Sequence, residues 1–193
     1  MVVKQLGDIN YVGRISPHLY GEPLLDNRLP GFIAETRLAC PLANIVVMSN
    51  GDFLTRDILL SLVSAGMDEI YVTNYDLEDN SVVIALQKEF PDHVTMRNFK
   101  NVDKRNKAGI LDNVVKVQDN NRPCLRPSSQ MVINWEGQVI LCCNDYYAKH
   151  VIGSVRDITL LNLWWSDELC YFKKILSQEH GRMKVDICRY CDG

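Results

Sequence analysis

The sequence predicts an α/β protein in which a partial (β/α) barrel precedes a small α+β module with a β-hairpin. Two observations carry this prediction. From residue 13 to about residue 100, apolar runs of strand length alternate with amphipathic stretches and turn residues, which is typical of repeated βα units around a parallel sheet. From Gln130 onward the apolar period changes to two, which indicates the strands of a hairpin.

Four apolar runs in the first half are the predicted strands of the sheet. They are Gly13–Tyr20, Asn44–Ser49, Glu69–Asn74 and Val94–Phe99. A helix follows each of the first three. Asp26 or Asn27 caps the first helix, which ends near Ala39, Gly66 stops the second, and the third runs from about Asn80 to Phe90. Three βα units followed by a further strand fit a partial barrel or an open sheet.

Residues 101–123 are predicted to form a linker. They are polar and rich in turn residues, and one short apolar run, Val114–Val117, allows at most one more strand. The predicted domains are therefore a partial barrel over residues 1–100, this linker, and a small module over residues 124–193.

The small module begins with the predicted β-hairpin. Two alternating runs, Met131–Trp135 and Gln138–Cys142, flank Glu136-Gly137, a dipeptide that suits a tight turn. After Gly153, a helix opened by Asp157 or Thr159 is expected to turn apolar side chains towards a core. These side chains are Leu160, Leu163, Trp164, Leu169 and Phe172.

The composition excludes several classes of function. The chain has 193 residues and a formal net charge of -3, and its basic residues are scattered, so no nucleic-acid partner is expected. No apolar run approaches the roughly 20 residues of a membrane span, and the N-terminus lacks the apolar segment of a secretory signal. We therefore expect a cytoplasmic protein with no membrane partner.

Seven cysteines are the main oddity of the composition, and all but Cys40 lie at or beyond residue 124. Thiols stay reduced in the cytosol, which favours metal or cluster ligation over disulfides. The candidate ligands combine an upstream cysteine, a hairpin cysteine and a closing Cys-x2-Cys turn: Cys124, Cys142, Cys188 and Cys191. By spacing alone, four thiolates suit one [4Fe-4S] cluster or one zinc ion equally well.

Cys142 and Cys143 compete for the hairpin position. Neighbouring residues of a strand point to opposite faces, so only one of the two can easily face the site. We assign Cys142, because four residues separate it from Gly137. The remaining cysteines are interpreted as small buried side chains: Cys40, Cys143 and Cys170.

The cysteine-rich region resembles a known family module. The segments that carry the resemblance are Cys124–Pro127, Met131–Asp145, Ile152–Asp157, Leu163-Trp164 and Cys188–Cys191. They are similar to the auxiliary-cluster module of radical S-adenosylmethionine (SAM) enzymes, which is called SPASM, or twitch in its single-cluster form. Because the sequence ends two residues after Cys191, the resemblance implies the single-cluster form with one [4Fe-4S] cluster.

The first half is similar to the same family at two strand ends. Gly21-Glu22-Pro23 resembles the GEP motif, whose backbone and carboxylate bind the amino group of SAM. A glycine lets the backbone approach a ligand, and a glutamate at the carboxyl edge of a strand can meet an ammonium group. Ser49 and Asn50 resemble the polar edge of the next strand, near the same cofactor. Taken singly, both segments are also ordinary turns between a strand and a helix.

One motif of the family is absent from the sequence. The family cleaves SAM with a cluster held by a Cys-x3-Cys-x2-Cys loop, and no such loop occurs in the 193 residues. The resemblance therefore implies a fragment or a truncated relative of an oxidoreductase or modifying enzyme. As an isolated chain it is expected to be unable to cleave SAM, and to use SAM only when the missing N-terminal part is supplied.

The substrate that the resemblance implies is a peptide or a carbohydrate-like alcohol. In this family the auxiliary cluster accepts an electron from a substrate radical or helps to anchor the substrate. Asp145 and Arg126 are candidates for cluster tuning or substrate contact, although exposed loop charges are the simpler interpretation, and no catalytic acid or base is assigned.

The alternative function is a non-catalytic accessory or binding module. In that interpretation the four cysteines hold zinc or a cluster for structural reasons only. A purely structural module has no need of the Gly-Glu-Pro and Ser-Asn segments at the strand ends. The presence of these two segments therefore favours the enzyme over the accessory module.

Overall fold

The computed structural model describes residues 1–75, 80–98, 108 and 120–191. The chain divides into two compact units, Met1–Asp103 and Lys104–Gly193. Most of the predicted linker, including Val114–Val117, lies outside the described residues, and so does Phe99 of the last predicted strand.

A four-stranded parallel sheet forms the centre of the first unit. Its strands lie side by side in chain order: β1 (Arg14–Ile15), β2 (Asn44–Ser49), β3 (Glu69–Asn74) and β4 (Val94–Asn98). The helices of this unit are α1 (Val2–Asp8), α2 (Leu29–Ala39), α3 (Arg56–Ser64) and α4 (Ser81–Glu89). This arrangement confirms the α/β class with a parallel sheet, whereas the curvature of a partial barrel remains a prediction.

Apolar side chains between the sheet and its helices form the core of the first unit. Ile45 and Val47 of β2 and Ile70 and Val72 of β3 are fully buried. They belong to one apolar cluster that also contains side chains of α2, α3 and α4, among them Ile33, Leu59, Leu62 and Val83. Burying one such side chain contributes roughly 1.5–3 kcal/mol. The core therefore fixes β2 and β3, and with them the loops that leave their carboxyl ends.

The first strand and the helix after it are shorter than predicted. Only Arg14 and Ile15 of the run Gly13–Tyr20 pair with β2, because Pro17 has no N–H to donate to a neighbouring strand. Helix α2 begins at Leu29 rather than directly after Asp26 or Asn27. The carboxylate of Asp26 accepts the backbone N–H of Arg28 at 2.9 Å, which holds a turn before the helix instead of capping it.

The second unit contains a three-stranded antiparallel sheet and several short helices. The strands, in spatial order, are β5 (Val132–Ile133), β6 (Gln138–Ile140) and β7 (Val151–Ser154). The helices are α5 (Arg126–Ser129), α6 (Leu160–Trp164), α7 (Asp167–Leu176) and α8 (Asp186–Arg189), with a 3-10 turn over Gly181–Lys184. None of the described helices has the length and apolarity that crossing a membrane requires.

The turn between β5 and β6 follows from its sequence. The side-chain oxygen of Asn134 accepts the backbone N–H groups of Glu136 at 3.1 Å and Gln138 at 2.9 Å. Gly137 has a φ of +81°, a left-handed conformation that glycine adopts at little cost. The strands are shorter than the predicted runs, and β6 ends at Ile140, so Cys142 lies beyond the strand.

The single helix predicted after Gly153 is two helices in the structure. α6 ends at Trp164, and α7 begins at Asp167 with Ser166 as its N-cap. The hydroxyl of Ser166 accepts the backbone N–H of Leu169 at 3.3 Å and donates to the carbonyl of Leu163 at 2.9 Å. Serine competes with the helical backbone for hydrogen bonds in this way and favours a new helix start.

Candidate functional site

The predicted cofactor residues of the first unit meet at the carboxyl end of β2. The carboxylate of Glu22 accepts the hydroxyl of Ser49 at 2.8 Å and the backbone N–H of Asn50 at 2.8 Å. It also accepts the backbone N–H of Leu24 at 3.0 Å, which starts the 3-10 turn Pro23–Leu25. One half-buried carboxylate therefore ties the Gly-Glu-Pro segment to the Ser-Asn segment, and uses three of its roughly four acceptor sites to do so.

Two glycines shape the backbone beside this carboxylate. Gly21 has a φ of +92°, and a Cβ added there would meet no atom within 4 Å, so the backbone at Gly21 faces open space. Gly51 has a φ of +83°, and an added Cβ would lie 2.5 Å from Val72. Gly21 therefore leaves room for a ligand, whereas Gly51 allows the loop after β2 to pack closely on β3.

His18 lies near the same carboxylate. Its Nδ1 is 3.2 Å from the hydroxyl of Ser16, which donates to the carbonyl of Val46 at 2.8 Å. Burial lowers the pKa of His18, and the negative charge of Glu22 opposes that shift. The site at the end of β2 thus contains one carboxylate, one imidazole and two hydroxyls.

Four thiols of the second unit form the predicted metal site. Burial raises the pKa of Cys188, and the nearby thiols of Cys142, Cys191 and Cys124 raise it further. Burial likewise raises the pKa of Cys142 to about 11, with smaller contributions from the neighbouring thiols of Cys143 and Cys191. The other three predicted cysteines therefore lie near Cys188, and Cys142, Cys188 and Cys191 are buried.

Backbone hydrogen bonds hold these cysteines in place. Cys188 ends a turn that begins at Val185, and the N–H of Cys191 donates to the carbonyl of Cys188 at 3.2 Å. The N–H of Cys124 donates to the carbonyl of Leu176 at 2.7 Å, and the carbonyl of Cys142 accepts the N–H of Asp145 at 3.0 Å. The four cysteines thus lie in turns and at helix ends whose backbones are held by these hydrogen bonds.

Three buried residues beside the thiols were not predicted from the sequence. The amide of Asn120 donates to the carbonyl of Cys188 at 3.1 Å and also to that of Cys191. The amide of Asn144 donates to the Sγ of Cys191 at 3.3 Å. The guanidinium of Arg182 donates to the carbonyl of Cys191 at 3.3 Å. Asn144 directly follows Cys143 on the chain, and this adjacency is the one feature of the sequence that could have pointed to any of the three.

The other predicted candidates of this unit take different places. Asp145 is buried, not an exposed loop charge, and its carboxylate accepts the N–H groups of Lys149 and His150 at 2.8 Å each. Arg126 is half-buried and donates to the Sγ of Cys143 at 2.9 Å. Asp145 therefore closes the loop after the hairpin, and Cys143 has a guanidinium partner.

The remaining cysteines lie apart from this group. Cys40 is buried in the first unit, where its Sγ is 3.9 Å from the carbonyl of Val3. Cys170 is half-buried on α7. Among the described residues, no three His, Cys, Asp or Glu side chains are gathered as tightly as the ligands of a single metal ion. Cys124, Cys142 and Cys191 lie near Cys188 without forming such a group.

Comparison with known proteins identifies the family. Residues 124–192 match the SPASM model, which is described as an iron-sulfur cluster-binding domain and includes all four candidate ligands. Over 99% of its length the chain is 31% identical to the S-adenosyl-L-methionine-dependent 2-deoxy-scyllo-inosamine dehydrogenase of Niallia circulans, and it covers 77% of that protein. The chain belongs to the radical SAM/SPASM family.

Solved structures agree with this membership of the radical SAM/SPASM family. The crystal structure of BtrN in complex with AdoMet and 2-DOIA matches 100% of the chain with a TM-score of 0.91 at 31% identity. The crystal structure of SeMet BtrN in an open conformation matches it with a TM-score of 0.79 at 29% identity. In each case the chain covers 77% of the solved chain. These relationships support a radical SAM/SPASM-like oxidoreductase that carries an iron-sulfur domain.

Proposed function

We propose that this chain is the auxiliary-cluster and SAM-facing part of a radical SAM dehydrogenase that oxidises a carbohydrate-like alcohol. The observation that carries the proposal is the meeting of four cysteines, Cys124, Cys142, Cys188 and Cys191, within a segment that matches an iron-sulfur cluster-binding domain. The proposed cofactor is one [4Fe-4S] cluster, as in the twitch form of the module.

The donor set fits such a cluster. Four thiols, that of Cys188 and the three that lie near it, provide the sulfur ligands that iron-sulfur clusters require, and three of the four are buried. The buried amides of Asn120 and Asn144 hold the closing turn and reach one of the sulfurs. When bound, the cluster supplies a one-electron acceptor in a site of low dielectric constant.

The proposed SAM contact is the carboxyl end of β2. The Glu22 carboxylate keeps about one acceptor site beyond its three hydrogen bonds, which suits an ammonium group. The open space at Gly21 lets a ligand approach the backbone. We propose that this edge belongs to a partial (β/α) barrel over residues 1–100, joined by residues 101–123 to the module over 124–193, in a cytoplasmic protein.

The proposed substrate class comes from the relative in Niallia circulans, whose name specifies 2-deoxy-scyllo-inosamine. Oxidation of a secondary alcohol to a ketone removes one hydrogen atom from carbon, one proton from oxygen and one electron. When bound, the cluster held by the four cysteines would supply the acceptor for that electron, while SAM, reductively cleaved at a cluster that the described chain does not hold, would supply the acceptor for the hydrogen atom, and water would take the proton. A carbohydrate-like alcohol is therefore proposed in preference to a peptide.

Electron paramagnetic resonance of the reduced protein tests the cluster. Chain purified without oxygen and treated with dithionite is expected to give the signal of a reduced [4Fe-4S] cluster, because four thiolates hold it. Cys188→Ser is expected to lose most of the signal, and Cys170→Ser, at a half-buried position of α7, is the matched control that keeps it. A protein without an iron signal after attempted reconstitution would move the chain to the structural zinc class.

The same spectrum tests the substrate class. Addition of 2-deoxy-scyllo-inosamine in excess is expected to shift the signal, because a substrate that transfers an electron must lie close to the acceptor. Myo-inositol, a related ring without the amino group, is the matched ligand and is expected to cause a smaller shift. An unchanged signal with both compounds would contradict the carbohydrate-like class while leaving the cluster in place.

A further inference from the structure

Arg182 is a buried cation with an incomplete set of partners. Only 8% of it is exposed. Its two terminal nitrogens donate to the carbonyl of Cys191 at 3.3 Å and to the carbonyl of Pro123 at 3.4 Å, while its Nε has no hydrogen-bond partner among the described residues. No carboxylate in the described part of the chain forms an ion pair with it. Its positive charge therefore calls for an anion that the described residues do not supply.

The position of Arg182 indicates which anion that is. Pro123 immediately precedes Cys124, so the guanidinium joins the chain segments that carry the first and the last of the four cysteines. An unpaired buried charge is strongly unfavourable, whereas a charge beside a thiolate-bound cluster is compensated.

A second buried donor also contacts Cys191, at its sulfur rather than at its carbonyl. The buried amide of Asn144 donates to the Sγ of Cys191 at 3.3 Å, and amide hydrogen bonds to cluster sulfurs favour the more negative, reduced state. Arg182 and Asn144 therefore place a positive charge and an N–H donor on Cys191, one of the four candidate ligands.

We infer that Arg182 is the counter-cation of the cluster held by the four cysteines, and that with Asn144 it raises the reduction potential of that cluster. The inference rests on the proposed function. A fixed cation stabilises the reduced cluster more than the oxidised one, because reduction adds one negative charge close to it. Arg182 and Asn144 therefore act through the cluster ligands and make the cluster a better electron acceptor.

Redox titration of the cluster-loaded chain tests the inference. At the potential where half of the wild-type cluster is reduced, Arg182→Gln is expected to lower the ratio of reduced to oxidised cluster at least about tenfold, equal to ~59 mV for a one-electron couple. Arg182→Lys keeps the charge and is expected to stay close to wild type. Asn144→Leu removes one hydrogen bond and is expected to lower the ratio less.

Arg189 provides the matched control. It directly follows Cys188, but it is exposed, so water screens its charge and Arg189→Gln is expected to leave the potential unchanged. Equal potentials in wild type and Arg182→Gln would overturn the inference and leave the cluster itself intact.

The iron content of the two Arg182 variants also tests the inference. If Arg182→Gln loses iron while Arg182→Lys retains it, the charge itself is required and the inference is supported. If both variants lose iron, the arginine has a purely steric role and the inference is wrong. A wild-type chain with zinc and no sulfide would overturn the proposed function, and the inference with it, before any titration.

Discussion

The first unit holds its predicted site with ordinary protein interactions, whereas the second unit surrounds its site with thiols. At the end of β2, a carboxylate is satisfied by two N–H groups and a hydroxyl, above a sheet with a fully buried apolar core. In the second unit the strands have two to four residues, three predicted cysteines lie near Cys188, and a buried guanidinium donates to the carbonyl of Cys191. We therefore expect the first unit to fold without a cofactor and the second unit to depend on one.

The largest expected effect comes from removing the cluster. Treatment with a chelator and an oxidant is expected to raise amide hydrogen exchange in residues 120–191 at least about 100-fold, because bound metal contributes directly to the folding of such modules. The sheet from β2 to β3 is expected to change less than about twofold. Equal changes in both units would contradict the comparison.

The next largest effect is expected at Gly181 in the second unit, which is compared with Gly31 in the first unit. A Cβ at Gly181 would lie 1.9 Å from the carbonyl oxygen of Ile175, so Gly181→Ala must displace the turn that carries Arg182. We expect a loss of about 2 kcal/mol or more in unfolding free energy, together with a loss of bound iron. Denaturant unfolding and iron analysis measure both effects.

Gly31 is the matched glycine in the first unit. It lies in helix α2, and an added Cβ would meet nothing within 4 Å. Gly31→Ala is expected to stabilise that unit by about 0.5–1 kcal/mol, because alanine loses less backbone freedom in a helix. A similar loss of stability in both variants would show that close backbone packing does not distinguish the units.

Glu22 gives the next smaller effect, confined to the first unit. Glu22→Gln replaces an acceptor of three hydrogen bonds by a group that presents an NH2 to N–H donors. The expected loss is about 1–3 kcal/mol in unfolding free energy, with no change in iron content. Glu35→Gln, on the exposed face of α2, is the control and is expected to change stability by less than about 0.5 kcal/mol.

The smallest effect is expected at a surface ion pair. Arg56 and Glu89 are 2.8 Å apart, but their side chains are 57% and 47% exposed. Arg56→Gln is expected to cost less than about 0.5 kcal/mol, and raising the salt concentration should reduce even that difference. A large loss in denaturant unfolding would mean that surface charge, rather than the apolar core, stabilises the first unit.

The sequence was informative wherever a local pattern determines the structure. Apolar runs that end at turn residues predicted β2 and β3 with their observed bounds, and the GEP resemblance predicted residues that the structure places around one carboxylate. The spacing of the cysteines and their family resemblance selected four thiols that the structure brings together.

The rest depends on contacts that no local pattern encodes. The apolar pattern of α6 continues through Trp164 and Trp165, so the sequence did not reveal that Ser166 caps a second helix. Asn120 lies 68 residues from Cys188, its hydrogen-bond partner, so nothing nearby on the chain marks it. Arg182 resembles any other arginine in the sequence, because its burial is a property of the folded unit alone.

The most direct test of the central claim is elemental analysis of chain purified without oxygen, for wild type and for serine variants of each of the four cysteines. We expect about four iron and four sulfide per wild-type chain, a large loss in every one of these variants, and wild-type content in Cys40→Ser and Cys170→Ser. About one zinc per chain with no sulfide, before and after reconstitution, would contradict the account.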